Sequence, residues 1–325
     1  MLEYLILIFL SYFFLCRARK HFPIFLGISL IFLGIGYYFR IHVDYKSNAD
    51  YYGYYLLSGE SFSFGIDKIL SEPYFPIIYD FFKKIAPSNS LALEYVYLFN
   101  FFICNLFFIW LAYNKSILFY LKIIFFTLYY FLFTYTAIRN SLAYLLVGMA
   151  LYKMLRNSRF ILGYFAFLFH VSSLPVILST FLGFKKPKKK VLIYILTGAI
   201  SLGVIINLPI FSHILMKFDA YSAGGAKYNV AFHFFYFTIF NLVVLLIYFK
   251  NRKVVYNSYF IFVFILYLVL FILNPVMSFR YSIYLITFLC FYPYKISKFT
   301  GYINYLSIFL MFYFIYTFYS THPNL

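Results

Sequence analysis

Four ionisable side chains interrupt otherwise apolar runs: Arg40, Arg139 in "TAIRNSLA", His170 in "FLFHVSSLPVI" (167–177) and Arg280 in "NPVMSFRYSIYL". A charge at membrane depth is costly, so an ionisable residue there is a functional hypothesis by default. Arginine offers a planar fork that makes two parallel hydrogen bonds to phosphate and never loses its charge. Three such forks and an imidazole suit an anionic lipid head beside a sugar. The alternative for each arginine is an anchor snorkelling to headgroups, and it competes hardest for Arg40. For His170 the alternative is a buried, hydrogen-bonded histidine, or a helix cap shared with Ser172 and Ser173.

The acids are concentrated in one place. Of nine Asp and Glu residues, seven lie between 44 and 94: Asp44, Asp50, Glu60, Asp67, Glu72, Asp80 and Glu94. The same stretch carries Tyr51, Tyr52, Tyr54 and Tyr55, whose rings can form sugar-stacking surfaces. His21, His42, His213, His233 and His322 have no metal-ligand spacing, and Cys16, Cys104 and Cys290 sit singly in apolar runs. No phosphate-binding glycine loop and no Gly-x-Ser-x-Gly or Ser-x-x-Lys element is present.

These residues must be positioned by a membrane framework. The 325-residue chain is 65% hydrophobic, 27% aromatic and 11% charged, with a mean hydropathy of +0.86. No single soluble core could hide that much apolar surface. The composition predicts an all-α polytopic integral membrane protein of about ten transmembrane helices. Strict alternation, the mark of a β-barrel, is missing. A net charge of +18 would suggest nucleic acid in a soluble chain. Here it gathers in short loops, as the positive-inside rule expects, so no nucleic-acid partner is implied.

The basic clusters set the orientation. Arg17 to Lys20, Lys153 to Arg159, Lys185 to Lys190, Lys250 to Lys253 and Lys295 to Lys298 are expected in the cytoplasm. Helices then fall near 3–16, 22–39, 95–113, 116–136, 138–154, 191–208, 231–249, 254–273, 280–293 and 300–318. The first run is expected to be a membrane helix rather than a signal peptide, because it lacks a basic start and a small-residue cleavage site. This gives a single transmembrane domain over 1–325, with an outer loop at about 40–94 and a second at about 209–230. Within the first loop, "PYFPIIYDFFKKIAP" (73–87) fits a short amphipathic helix at the interface.

The stretch 160–184 breaks the parity, since basic clusters flank it on both sides. One straight crossing would put lysines on the wrong face. A re-entrant helical hairpin would not, with His170, Val171, Ser172 and Ser173 at its tip and Pro175 opening its second arm. Non-helical backbone at membrane depth is tolerated only inside protein or along a wet cavity. A spanning helix beside a misplaced neighbour remains the alternative.

In this order, the motifs resemble the EpsG family of Wzy-type polysaccharide polymerases of bacterial inner membranes. The resemblance rests on an Arg followed by "DYYGY" (50–54), "EPYFPIIY" (72–79), "RNSLAYLLVGMALY" (139–152), the arm ending "FHVSSLPVI" and "RYSIY" (280–284). Asp44-Tyr45 competes with Asp50-Tyr51 for the loop position. Each motif is short; their order and spacing over most of the chain carry the likeness. It implies transfer of a glycan held on undecaprenyl diphosphate to a lipid-linked repeat unit at the periplasmic face, without cofactor or nucleotide. Membrane lipid and a chain-length regulator protein belong among the partners it suggests. Arg40, Arg139, Arg280, Asp44, Tyr51, Tyr54, Tyr281 and Tyr284 would bind substrate, and His170, Asp50 and Glu72 are the catalytic candidates. Glycosyl transfer needs a base within reach of the acceptor hydroxyl. An ordinary imidazole, with a pKa of about 6.5, is available neutral, whereas a carboxylate needs burial to become comparably basic. The same residue types would also serve a flippase or transporter, a ligase using the same donor, or a membrane O-acetyltransferase. A flippase, however, would need its cations spread along a central cavity.

Overall fold

The computed structural model describes residues 1–43, 73–158, 160–187, 193, 198, 230–273, 275–294 and 300–321. Asp44, Asp50, Tyr51, Tyr54 and Glu72 lie outside the described residues, as do most of the helix expected at 191–208 and the loop expected at 209–230. Among the described residues every regular element is helical. The elements are α1 (Leu2–Ala18), α2 (Phe22–His42), α3 (Tyr74–Lys83), α4 (Asn89–Tyr113), α5 (Phe119–Phe131), α6 (Ile138–Met154), a 3-10 arm (Ile161–Leu168) and α7 (Ser173–Thr180). After these come α8 (Val230–Lys250), α9 (Arg252–Val255), α10 (Ser258–Leu273), α11 (Pro275–Phe291), α12 (Thr300–Leu306) and α13 (Leu310–Thr321).

Phe22–His42, Asn89–Tyr113, Phe119–Thr136, His233–Lys250 and Gly301–Ser320 are each long and apolar enough to cross a bilayer, and Ser258–Ile272 and Met277–Phe291 are shorter apolar helices. The protein is an all-helical, multi-pass membrane protein. Several expected boundaries shift for local reasons. α4 starts at Asn89 rather than near 95 because the Ser88 hydroxyl accepts the Leu91 N–H at 3.2 Å, a good N-cap. Glu94 is therefore helical. α11 starts at Pro275, where the missing N–H costs nothing at a first helical position. Arg280 accordingly lies inside a helix and not at its first residue. The last expected crossing is broken by a 3-10 turn at Ser307–Phe309.

By contacts the chain divides into two compact units, one holding the described residues of Met1–Phe64, Glu72–Leu145 and Pro293–Leu325, the other those of Leu146–Tyr292. The first unit has an aromatic core. Tyr12 of α1 stacks on Phe126 of α5 at 3.8 Å between ring centroids, and Phe126 stacks on Phe314 of α13 at 5.1 Å. α3 is the amphipathic helix expected in 73–87. Its Phe75 and Tyr79 pack on Ala92, Leu93, Val96 and Tyr97 of α4. Ile77, Phe81 and Ile85 recur every fourth residue and stay exposed, as an interfacial helix requires.

The second unit contains the broken element. Tyr164 on the 3-10 arm stacks on Phe181, just past α7, at 5.6 Å. A continuous helix would hold those residues 17 positions, about 25 Å, apart. The chain therefore doubles back as a hairpin. Both of its feet lie at one end of the unit. Before it, Arg156 donates to the Phe291 carbonyl at the end of α11 (3.2 Å). After it, the Ser258 and Tyr259 N–H groups at the start of α10 donate to Lys185 and Gly183 carbonyls at 3.0 and 3.1 Å. Consecutive antiparallel helices place the start of α10 and the end of α11 together.

Candidate functional site

The hairpin tip is an irregular turn held by its own backbone. The His170 N–H donates to the Ala166 carbonyl at 3.1 Å, and the Ser173 N–H donates to the His170 carbonyl at 3.0 Å. The Ser173 hydroxyl reaches the same carbonyl at 2.8 Å. His170, Ser172 and Ser173 are all buried. Gly163 lets the first arm approach α6, because a Cβ there would sit on the Ala150 methyl and close to the Leu146 carbonyl.

α11 supplies the facing wall. Arg280 and Tyr284 are four residues apart and share one helix face. Arg280 Nη1 lies 3.3 Å from His170 Nε2, and the Tyr284 and Ser172 hydroxyls lie 3.5 Å apart. A guanidinium has donors and no acceptor, so Nε2 must accept from Arg280. The contact is a hydrogen bond in the tautomer that carries its proton on Nδ1. Arg280 Nη1 also lies 3.9 Å from the Met277 sulfur. Tyr281 and Tyr284 are buried and meet edge to face at 6.2 Å. Next to them the Tyr236 hydroxyl of α8 lies 2.8 Å from the Ser282 hydroxyl, a contact the sequence reading did not anticipate. Arg280 and Phe291 are 11 residues apart on α11, about 17 Å. The tip thus lies deep in the unit, away from its basic end.

Arg40, in the first unit, is no headgroup anchor. It is 2% exposed, and its guanidinium carbon lies 4.9 Å from the Tyr97 ring centroid and 5.2 Å from that of Tyr135. The Tyr135 hydroxyl donates to the Gly36 carbonyl of α2 at 3.2 Å. Two aromatic faces attract a desolvated cation through their ring quadrupoles, and this favours burial over snorkelling.

Arg139 belongs to the first turn of α6, and that turn is fixed by polar groups the sequence reading missed. α5 runs into a π-helical turn, Leu132–Thr136, where the Ala137 N–H closes on the Leu132 carbonyl at 2.7 Å. The Phe133 carbonyl accepts the Asn100 amide of α4 at 2.8 Å, and the Asn100 oxygen accepts the Ser141 hydroxyl of α6 at 2.7 Å. π-turns of this kind concentrate at functional sites. The sequence signal was available: Asn100 is a polar residue inside an apolar span. Lys122 was likewise missed. It is fully buried and donates to the Ala112 carbonyl in the last turn of α4 at 2.6 Å, where a cation complements the helix dipole.

Among the described residues no group of three or more His, Cys, Asp and Glu could hold a metal. The EpsG family matches residues 21–324, nearly the whole chain. No curated protein and no solved structure matches it.

Proposed function

The chain belongs to the EpsG family of Wzy-type polymerase-like membrane proteins, and from that premise we propose that it lengthens a polysaccharide at the periplasmic face of a bacterial inner membrane. The donor is a glycan on undecaprenyl diphosphate, and the acceptor is a sugar hydroxyl of a second lipid-linked repeat unit. The bond from the donor's anomeric carbon to the diphosphate oxygen breaks, and a bond to the acceptor oxygen forms. The acceptor proton passes to a base, and the diphosphate departs with the electron pair.

The contact between Arg280 and His170 carries this proposal. A neutral imidazole is a weaker acceptor for a guanidinium than an anionic phosphate, because ionised partners make hydrogen bonds roughly twice as strong. An arriving diphosphate therefore draws Arg280 off Nε2. That exchange frees the Nε2 lone pair for the acceptor proton at the moment the leaving group is held. Tyr284 steadies the tip through Ser172, and Tyr281 is assigned to the sugar. Arg139, with Asp44, Asp50, Glu72, Tyr51 and Tyr54 of the acidic loop, keeps a role in holding substrate, by its place in the motif order. Arg40 is assigned to fixing the end of α2, from which that loop departs.

Deletion in a producing strain, followed by glycan profiling, tests the reaction. A polymerase mutant leaves a single repeat unit on its final acceptor. Complete loss of transferred units would indicate a ligase, and accumulation of inner-leaflet intermediates a flippase.

A further inference from the structure

A concave surface in the same unit shares no lining residue with the hairpin tip or with Arg280. A groove of about 820 Å³ runs between α8 and the start of α10, lined by Phe234, Phe237 and Tyr248 on one side and Tyr256, Phe260 and Phe264 on the other. Its volume falls in the range of ordinary small-molecule sites. Two polar residues in its wall, Thr238 and Asn241, turn their donors back to their own helix. Thr238 donates to the Phe234 carbonyl at 2.9 Å, and Asn241 donates to the Phe237 carbonyl at 2.7 Å. Along its length the groove therefore suits a hydrocarbon chain. Phe234 and Tyr248 are 14 residues apart, about 21 Å, which exceeds one leaflet of a hydrocarbon core about 30 Å thick.

One end of the groove is strongly cationic. The Arg252 guanidinium lies over both terminal tyrosines, 5.2 Å from the Tyr248 centroid and 4.8 Å from that of Tyr256. The Lys186 ammonium lies 5.6 Å from the Tyr256 ring. Lys185, Lys250 and Lys253 flank them, and all five cations are exposed. The loop with Lys185 and Lys186 is tied to this end by the bonds from Ser258 and Tyr259 to its carbonyls. Stacking fixes the two nearest cations at the mouth of an apolar groove, where an uncharged lipid head would leave them unmatched.

We infer that this groove is a binding site for an anionic phospholipid, its phosphate head on Arg252 and Lys186 and one acyl chain along α8. The site is separate from the Arg280–His170 pair, and its test does not depend on polymerase activity. In a Trp110→Phe background, which removes the single native tryptophan, Leu245→Trp places a reporter in the groove. Leu30→Trp, on the exposed side of α2, is the control. The full chain is reconstituted in phosphatidylcholine nanodiscs, and quenching by brominated phosphatidylglycerol is compared with quenching by brominated phosphatidylcholine. A preference of roughly fivefold for the anionic lipid, the worth of about one basic side chain at a membrane surface, is expected at Leu245→Trp and not at Leu30→Trp. Adding Arg252→Gln and Lys186→Gln, both at exposed positions, should bring that preference close to parity. Equal preference at both reporters overturns the site. So does a reporter at position 245 that neither lipid quenches, which would mean that protein fills the groove. Displacement of the brominated lipid by equimolar undecaprenyl phosphate would also overturn it, giving the groove to the substrate lipid.

Discussion

His170 has one nitrogen that matters, and in the resting structure Arg280 occupies it. Glutamine at this position carries a carbonyl oxygen with reach similar to that of Nε2, so His170→Gln can still accept from Arg280 but cannot take a proton. Expression and thermal stability should stay near those of the parent, and polymer formation should fall by about 10²–10⁴-fold, the usual worth of a positioned base. Long polymer from a normally expressed His170→Gln chain would reduce His170 to a partner that holds Arg280. Arg280→Lys separates charge from shape. It keeps the cation and loses the fork, so turnover should drop by roughly 10–100-fold, the equivalent of one hydrogen bond to a charged group. Lipid-linked repeat units should accumulate in the same membranes. Unchanged chain length would remove Arg280 from the diphosphate.

The elements that carry these residues depend on a few close fits. Asn100 joins α4, the π-turn and α6 through two hydrogen bonds. Asn100→Ala removes both bonds, while the Phe133 carbonyl keeps the Cys104 thiol at 3.3 Å and the Ser141 hydroxyl keeps the Ile138 carbonyl at 3.2 Å, so a loss of about 1 kcal/mol per bond is expected. A lowered unfolding temperature in detergent is expected, with Ser141→Ala showing a smaller drop. An unaltered melting curve for Asn100→Ala would refute the tie. At the hairpin, Gly163 is required by close approach to Ala150. Gly163→Ala should destabilise by about 1–3 kcal/mol through overpacking, and Ala150→Gly in the same chain should recover most of that loss. Failure of the second change to rescue the first would show that the arm does not pack there.

At the scale of the whole molecule, the hairpin makes a statement about sidedness. Its feet share one end of their unit with the basic residues Arg156 and Lys185, and the positive-inside rule assigns that end to the cytoplasm. Native Cys16, Cys104 and Cys290 are buried and should be silent to an impermeant thiol reagent. In intact spheroplasts, cysteines introduced at Ser158 and Lys186 should be protected, while those at Ser63 and Gly224 react. Labelling at Lys186 together with Ser63 would sink the hairpin topology.

Much of this was legible from the chain alone. The apolar runs, the clustered acids and the basic residues on both sides of 160–184 are properties of consecutive residues. Hydropathy and charge parity read them without knowing any contact. They determined the helical membrane class and the family likeness that rests on motif order, and offered the hairpin as one of two readings, between which the Tyr164–Phe181 stack decides. The sequence did not reveal that Arg280 meets His170 across 110 positions, that Arg40 is enclosed by Tyr97 and Tyr135, or that Asn100 ties three segments together. These contacts depend on which face each helix turns inward. A membrane helix that is apolar all round has no stripe to reveal that face, so only tertiary packing, by fixing the rotation of each helix, decided which polar side chains meet.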